Sequence, residues 1–485
     1  MPTRRRIKIA PLAAAACLAA ALMTAPSAFA QQAPASPHSA TAAQSRTVAQ
    51  IFGRESGQLL LMQMEVALAR VQARRGIIPA AAAREIERTG NLSAVPLAAV
   101  DAERAKVGHP MVALINAWAR VAEGDAGEYI HYGPTTQDIY DTTQLIQMRQ
   151  AAALMVTQMR ELESSMLKLA QEHRATPMIG RTLGRHALPL SFGAKVASWA
   201  AENRRNIERL KGWIARSNTT MISGAVGSYA SMGDSAFEVE AEVARELGTG
   251  APFPIDWKGS KDMHAEYGSL LAIASKTLGK IGQEIFLLQG DDIRELEDPN
   301  PGVGSSTMPH KVNPRFSIPM VKLSRDVTNQ AGVLEDWMMT IYERDQISNA
   351  DALGQISTAF ENQLRAANAM LRNVKVFPKN MERNLMRTNG LIMAEEAMFL
   401  LGKEVGKHTA HEEINIAARA SWDKGTPFLQ EIKARPKLAA AADKAQLDTA
   451  LDPRRYIGLS AQAVDRTAAA IEKARATDAQ AIAGL

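Results

Sequence analysis

The chain has 485 residues, of which 46% are hydrophobic and 22% are charged. This composition is typical of globular proteins, and a chain of this length can bury a substantial core without disulfides or a structural metal. The formal net charge is +5, but four of the positive charges lie at the extreme N-terminus, so the rest of the chain is nearly neutral. The charge therefore gives no support to nucleic-acid binding, and we expect none.

Residues 1–30 have the pattern of a secretory signal peptide: a basic start, an apolar stretch and an A-x-A end that predicts cleavage near Ala30. We therefore expect a periplasmic or secreted protein without a membrane span. A retained anchor, or a lipoprotein cut before Cys17, is the alternative. Cys17 is the only cysteine, so the mature chain forms no disulfide. Residues 31–45 are rich in Pro, Ala and Ser and predict a flexible tether.

The chain beyond residue 45 predicts helices, because β-branched alternating runs are nearly absent. Its clearest pattern is a run of apolar residues with alternating spacings of three and four, which is typical of a long helix packed against near-parallel partners. The run comprises Leu145, Met148, Ala152, Met155, Met159, Leu162, Met166 and Leu169. Further long helices are predicted at about 190–216, 264–289, 315–342 and 350–374. The fold class is therefore all-α, with a bundle of long helices at its centre.

The pattern divides the helical region into three parts. An N-terminal helical domain covers 46–142, the long-helix bundle covers 143–376, and a set of shorter helices covers 377–485. The many methionines fit core filling better than a metal-binding role.

One stretch contrasts with this helical pattern: "GSSTMPHKVNP", from Gly304 to Pro314. Its glycine and prolines predict a loop between two long helices. Ser305 supplies a hydroxyl, and Lys311 and Asn313 supply a cation and an amide, which together suit an oxyanion. A serine can act as a base only where such donors stabilise its alkoxide. The alternative interpretation is a surface turn with a solvated lysine.

These eleven residues resemble the signature of the fumarase/aspartase superfamily, G-S-S-x-M-P-x-K-x-N-P. The segments "HYGPTTQDIYDT" (131–142) and "GRTLGRHALPLSFGAKVASWA" (180–200) are similar to the first and second site loops of that family. The resemblance covers nearly the whole mature chain. It is nearest to the branch of 3-carboxy-cis,cis-muconate cycloisomerase and adenylosuccinate lyase.

The resemblance implies a three-domain, all-α fold whose long helices form the core of a homotetramer. It also implies active sites where loops from three chains meet. Ser305 would be the base, with Lys311 and Asn313 holding the aci-carboxylate that forms when the substrate loses its proton. The other residues that it places around a small polycarboxylate substrate are Thr135, Thr136, Gln137, Arg181, Thr182, Ser306 and Arg344. No cofactor and no metal are implied.

Three positions depart from the family pattern, and one of them is Arg185, where the second loop usually has glutamine. Leu183 replaces a histidine of the second loop and Ile318 replaces a glutamate after the signature, and in the family these two groups serve the leaving group. A carboxylate has a pKa of about 4 and leaves without an acid. We therefore predict a cycloisomerase or lyase with a carboxylate-like leaving group, for which Arg185 offers a second anion contact. If an acid is needed, His131 is the best candidate, followed by His186.

Two other functions remain open at this point. A C–N lyase that releases fumarate from an amino-acid or succinyl-amine substrate fits the same motifs, although the missing acid argues against an amine leaving group. A catalytically inactive member that binds ligand is the second alternative. The presence of Ser305, Lys311 and Asn313 argues against it.

Overall fold

Long helices dominate the computed structural model, which describes residues 47–255, 258–299, 304–345 and 350–485. The predicted signal peptide and tether lie outside the described residues. The α-helices are α1 (Val48–Ile51), α2 (Arg54–Arg74), α3 (Ala80–Thr89), α4 (Leu97–Val107), α5 (Pro110–Ala119), α6 (Thr136–Glu172), α7 (Phe192–Arg216), α8 (Ala236–Leu247), α9 (Asp262–Leu288), α10 (Ser317–Asp336), α11 (Asp351–Asn373), α12 (Pro378–Met386), α13 (Ala394–Val405), α14 (Lys407–Lys424), α15 (Phe428–Lys433), α16 (Ala439–Lys444), α17 (Leu447–Ala450), α18 (Ser460–Arg475) and α19 (Asp478–Ala481). Short 3₁₀ helices cover Ala126–Tyr129 and Leu391–Met393.

The strands form two small antiparallel sheets. Strands β1 (Pro177–Thr182) and β2 (Arg185–Ser191) make a hairpin between α6 and α7, and β3 (Leu296–Glu297) pairs with β4 (Lys375–Val376). The predicted all-α class is confirmed, since helices form the core. Across the described ranges, no helix combines the length and apolarity needed to span a bilayer.

Helix α6 is the longest element, with 37 residues, and at 1.5 Å per residue it extends about 55 Å. Every residue of the predicted apolar run along it is buried: Leu145, Met148, Ala152, Met155, Met159, Leu162, Met166 and Leu169. These side chains pack against α7, α9 and α11 in one continuous hydrophobic cluster.

The helices of the bundle alternate in direction. In the α6–α7 pair, Asn203 donates to the Met159 carbonyl at 3.0 Å and Arg149 to the Ile214 carbonyl at 3.3 Å, so the two helices run antiparallel. Helix α10 lies so close to α9 that a Cβ on Gly279 would come within 2.6 Å of the Ser324 hydroxyl. Glycine is therefore required at this crossing.

This alternation defines two ends of the bundle. The first end holds the start of α6 and α9 and the end of α7 and α10. The second end holds the end of α6, the β1–β2 hairpin, the start of α7, and the described parts of the connection from α9 to α10, 289–299 and 304–316. Each site loop therefore lies at one of these two ends of the bundle.

Smaller hydrophobic clusters flank the bundle. One unites α2, α3 and α5 with Ile222 and with Val239 and Val243 of α8. Another joins α13 to α17 through residues such as Leu401, Ile414 and Phe428. The chain then returns to the bundle through α18 and α19.

Buried Asp478 anchors this return. Its carboxylate pairs with Arg204 and Lys211 of α7 at 2.9 Å each.

Candidate active site

The first site loop is held by a buried carboxylate. Asp138 accepts a hydrogen bond from the backbone N–H of Thr135 at 2.8 Å, and from those of Ser223 and Gly224 at 3.0 Å each. It also pairs with Lys258, and both side chains are fully buried. Because Asp138 lies in the first turn of α6 and Thr135 is its N-cap, these contacts fix the position of Thr135 and Thr136 relative to the bundle.

Gln137 is oriented by a second buried ion pair. Its amide Nε2 donates to Asp141 Oδ1 at 2.6 Å, and Lys261 Nζ contacts both Asp141 oxygens at 2.8 Å. One N–H of the Gln137 amide is thereby occupied, and the other has no acceptor among the described residues. Arg344 joins this end of the bundle, where its Nη1 lies 3.3 Å from Thr135 Oγ1.

His131 lies at the beginning of the same loop, against a carboxylate on α2. Its Nδ1 is 2.7 Å from Glu65 Oε1, and the two side chains are 15% and 1% exposed. Burial lowers the pKa of His131, but the hydrogen bond and charge of Glu65 outweigh it, so the net shift of this pKa is upward. The arrangement favours an imidazolium, as a proton donor requires.

The signature loop lies at the second end. Ser305 Oγ accepts hydrogen bonds from the backbone N–H of Met308 at 3.1 Å and of Thr307 at 3.4 Å. Donors aimed at a hydroxyl oxygen favour its deprotonated form. Asn313 donates to the Gly304 carbonyl and closes the loop. Lys311 and Ser306 are exposed.

The loop is joined to α10 by Asp298. This buried carboxylate accepts from the backbone N–H of Phe316 and Ser317, at 2.9 Å each, and so caps the helix. Ile318, at the position where many family members have glutamate, is 49% exposed in the first turn.

The second site loop is a β-hairpin, which the sequence did not predict. Leu183 and Gly184 form its two-residue turn, both with positive φ, and the Leu183 side chain is fully exposed at the tip. Thr182 and Arg185 flank the turn as a pair. Arg181, one residue before Thr182, is engaged within the chain, since its guanidinium forms a bidentate pair with buried Glu295 at 2.7 and 2.9 Å.

The remaining two candidates in the hairpin face the C-terminal helices. Arg185 places its guanidinium carbon 5.4 Å from the centre of the Trp422 ring. The neighbouring His186 has a buried Nδ1 for which the described part of the chain offers no hydrogen-bond partner.

The structure thus divides the candidate residues between the two ends. The first end holds His131, the Thr135–Gln137 loop and Arg344, whereas the second holds the hairpin and the 304–314 loop. Their proposed catalytic and binding roles stay predictions. Sequence reasoning missed four buried charged residues that hold these loops: Glu65, Lys258, Lys261 and Glu295. The only sequence signal is the shared spacing of three in Asp138/Asp141 and Lys258/Lys261.

Comparison with known proteins agrees with this arrangement of motifs. Residues 41–327 match the family described as Lyase, and residues 390–467 match the adenylosuccinate lyase C-terminus. N-acetyl-S-(2-succino)cysteine lyase of Enterococcus italicus is 36% identical over 414 residues, covering 84% of this chain and 90% of that protein. Adenylosuccinate lyase of Methanocaldococcus jannaschii is 36% identical over 413 residues, covering 84% and 89%.

A solved structure shows the same fold. The 3-carboxy-cis,cis-muconate lactonizing enzyme of Pseudomonas putida superimposes with a TM-score of 0.80 at 27% identity, covering 88% of this chain and 97% of that one. The resemblance found in the motifs is therefore confirmed. The chain belongs to the fumarase/aspartase superfamily and is an enzyme of the lyase type.

Proposed function

We propose that this enzyme eliminates a thiolate from a 2-succinylated thiol and releases fumarate. The observation that carries the proposal is the 36% identity, over 84% of this chain, to N-acetyl-S-(2-succino)cysteine lyase. The hairpin tip fits it, because exposed Leu183 stands in place of the acid of the family. A leaving group that departs as an anion needs no acid at that position. A thiol has a pKa of about 8.5 and leaves as thiolate far more readily than an amine.

The chemistry follows from the residues of the signature loop. Ser305, as the alkoxide held by two backbone N–H groups, removes the proton from the carbon beside a substrate carboxylate. The electron pair of that C–H bond forms the C=C bond of fumarate, and the pair of the C–S bond leaves with sulfur. Lys311 and Asn313 stabilise the negative charge on the carboxylate during this step. Thr135, Thr136 and Gln137 bind the substrate's other carboxylate.

Lactone opening or closure on a 3-carboxymuconate is the second candidate. It is supported by the likeness to the Pseudomonas putida lactonizing enzyme. It also needs no acid, because its leaving group is a carboxylate with a pKa of about 4. Exposed Leu183 fits both candidates and opposes an amine leaving group.

A substrate panel separates the candidates. The chain from residue 31 onward is incubated with N-acetyl-S-(2-succino)cysteine, adenylosuccinate and 3-carboxymuconolactone, and the ultraviolet absorbance of the conjugated alkene is followed. We expect the thioether to be turned over with the highest kcat/KM. Preference for the lactone would support the second candidate, and preference for adenylosuccinate would show that an amine can leave without the missing acid.

We further infer that four copies of the chain assemble. The signature loop leads into the start of α10, whereas the first loop contacts Arg344 beyond the end of that helix, and the 20 residues of α10 extend about 30 Å. One subunit therefore cannot close a site for a small substrate. Apolar side chains exposed on α9 and α10 support packing between subunits; they include Ile273, Phe286, Leu287 and Val333.

Export remains a proposal that rests on the first 30 residues. The intact mass of the protein recovered from the periplasm tests it. A mature N-terminus at Gln31 supports export, whereas a cytosolic protein that starts at residue 1 or 2 contradicts it.

A further inference from the structure

A cleft of about 610 Å³ lies between the β1–β2 hairpin and the C-terminal helices. The hairpin lines it with Arg185 and His186, and the C-terminal part lines it with Arg387, Glu395 and Trp422. This volume accommodates a small organic molecule. The cleft starts at Gly184, next to the tip residue Leu183.

Two guanidinium groups give the cleft its positive charge. Within the described ranges, neither Arg185 nor Arg387 forms an ion pair with a carboxylate. Arg185 makes a cation–π contact with Trp422, its guanidinium carbon 5.4 Å from the ring centre, and in these ranges the Arg387 guanidinium makes only a long contact of 3.4 Å to the Asp292 carbonyl. A guanidinium that is not paired with a carboxylate can bind one in a bidentate manner.

The other ionisable groups leave this positive charge in place. Burial, and then the charge of Arg181, lower the pKa of His186, so this imidazole is neutral at physiological pH. Glu395 also lines the cleft, where its carboxylate accepts a hydrogen bond from the Tyr456 hydroxyl at 3.3 Å. The lining therefore combines two cations with one carboxylate and an aromatic face.

We propose that this cleft binds a carboxylate on the fragment that leaves the substrate, with Arg185 and Arg387 as its ligands and Trp422 against its apolar part. The inference rests on the proposed function in one respect: position 183 is where the superfamily serves the leaving group, and the cleft opens beside it. A carboxylate site in this cleft would narrow the substrate class to succinylated thiols whose thiol portion carries its own carboxylate.

Paired substrates test the proposal. One is N-acetyl-S-(2-succino)cysteine, and the other is the succinylated form of N-acetylcysteamine, which lacks only the carboxylate of the thiol portion. In Arg387→Gln and in Arg185→Gln we expect kcat/KM to fall tenfold or more for the first substrate and by less than about twofold for the second. Arg419→Gln, on the same helix as Trp422 but outside the cleft lining, is the matched control and should change neither value. An equal loss on both substrates would overturn the proposal.

Direct binding separates this inference from the proposed function. N-acetylcysteine is titrated into the protein while tryptophan fluorescence is followed, with Trp422→Phe identifying the contribution of Trp422 among the six tryptophans. Saturable quenching that is lost in Arg387→Gln supports the carboxylate site even if no thioether is turned over. Turnover of the carboxylated thioether without any quenching, and without discrimination between the two substrates, rejects the cleft while leaving the proposed function intact.

Discussion

Ser305 accepts hydrogen bonds from two backbone N–H groups in a partly exposed turn. Ser305→Ala removes the proposed base and little else, so we expect kcat to fall by a factor on the order of 10³ while stability changes by no more than about 1 kcal/mol. Steady-state kinetics and urea unfolding measure the two effects.

Ser306→Ala is the control for this substitution. Ser306 is exposed beside Ser305 and is proposed only to contact substrate, so its loss should raise KM more than it lowers kcat. Near-normal activity of Ser305→Ala would show that another group takes the proton.

The pair of His131 and Glu65 predicts a pH-dependent stability. Because the folded protein raises the pKa of His131, the stabilisation by the pair is fully present below the unfolded value of about 6.5 and is lost as pH rises through the raised value. Glu65→Gln should therefore lower the free energy of unfolding by about 2 kcal/mol at pH 6 and by less at higher pH. Urea unfolding at a series of pH values, at one protein concentration, measures this. A difference that stays constant from pH 5 to pH 9 would show that His131 does not change charge there.

Among the elements, the β1–β2 hairpin has an unusual turn. Leu183 has φ +50° and Gly184 φ +75°, as in the type I′ turn that favours Asn-Gly. Leucine pays a steric cost at positive φ that asparagine largely avoids. We expect Leu183→Asn to raise the free energy of unfolding by about 0.5–1 kcal/mol, seen as a higher midpoint of urea unfolding with an unchanged slope.

Leu183→Ala is the matched control. It removes the exposed side chain but keeps a Cβ at positive φ, so it should give no gain. If asparagine and alanine both destabilise by a similar amount, the leucine side chain packs against another subunit and the turn conformation is not the dominant effect.

The elements also show what a sequence can predict. The apolar spacing along α6 is local information, and the structure buries every residue of that run. The hairpin has no such local pattern, because its strands depend on distant packing: Ile179 of β1 shares a hydrophobic cluster with Leu385 of α12. Gly184, in the two-residue turn with Leu183, was the local feature of the sequence that could have indicated this turn.

The same distinction applies to the candidate site. The 304–314 motif is contiguous, so the sequence alone identified it. The residues that hold the other loops are remote: Lys261 is 120 positions from Asp141, and Glu295 is 114 positions from Arg181. The ion-pair partners of single charged residues at such separations cannot be predicted from the sequence, because only the folded bundle brings them together.

At the scale of the whole molecule, the two ends of the bundle define how a site can form. The first loop, with Thr135 and Gln137, lies about 55 Å along α6 from the hairpin and about 30 Å along α10 from the signature loop. A succinylated thiol is far smaller than either separation. A site that uses both loops must therefore take them from different copies of the chain, and closed symmetry then gives every copy an equivalent role.

Mixed assemblies test this arrangement. Ser305→Ala and Gln137→Ala should each be nearly inactive. In oligomers formed from equal amounts of both, about half of the sites receive an unchanged first loop and about half receive an unchanged signature loop. About one quarter of the sites therefore receive both loops unchanged. We therefore expect co-refolding of the two variants to restore about one quarter of the wild-type kcat. Each variant refolded alone is the control and should gain nothing. If the mixture stays as inactive as its components, the two loops act within one chain, and the division of the site between subunits is wrong.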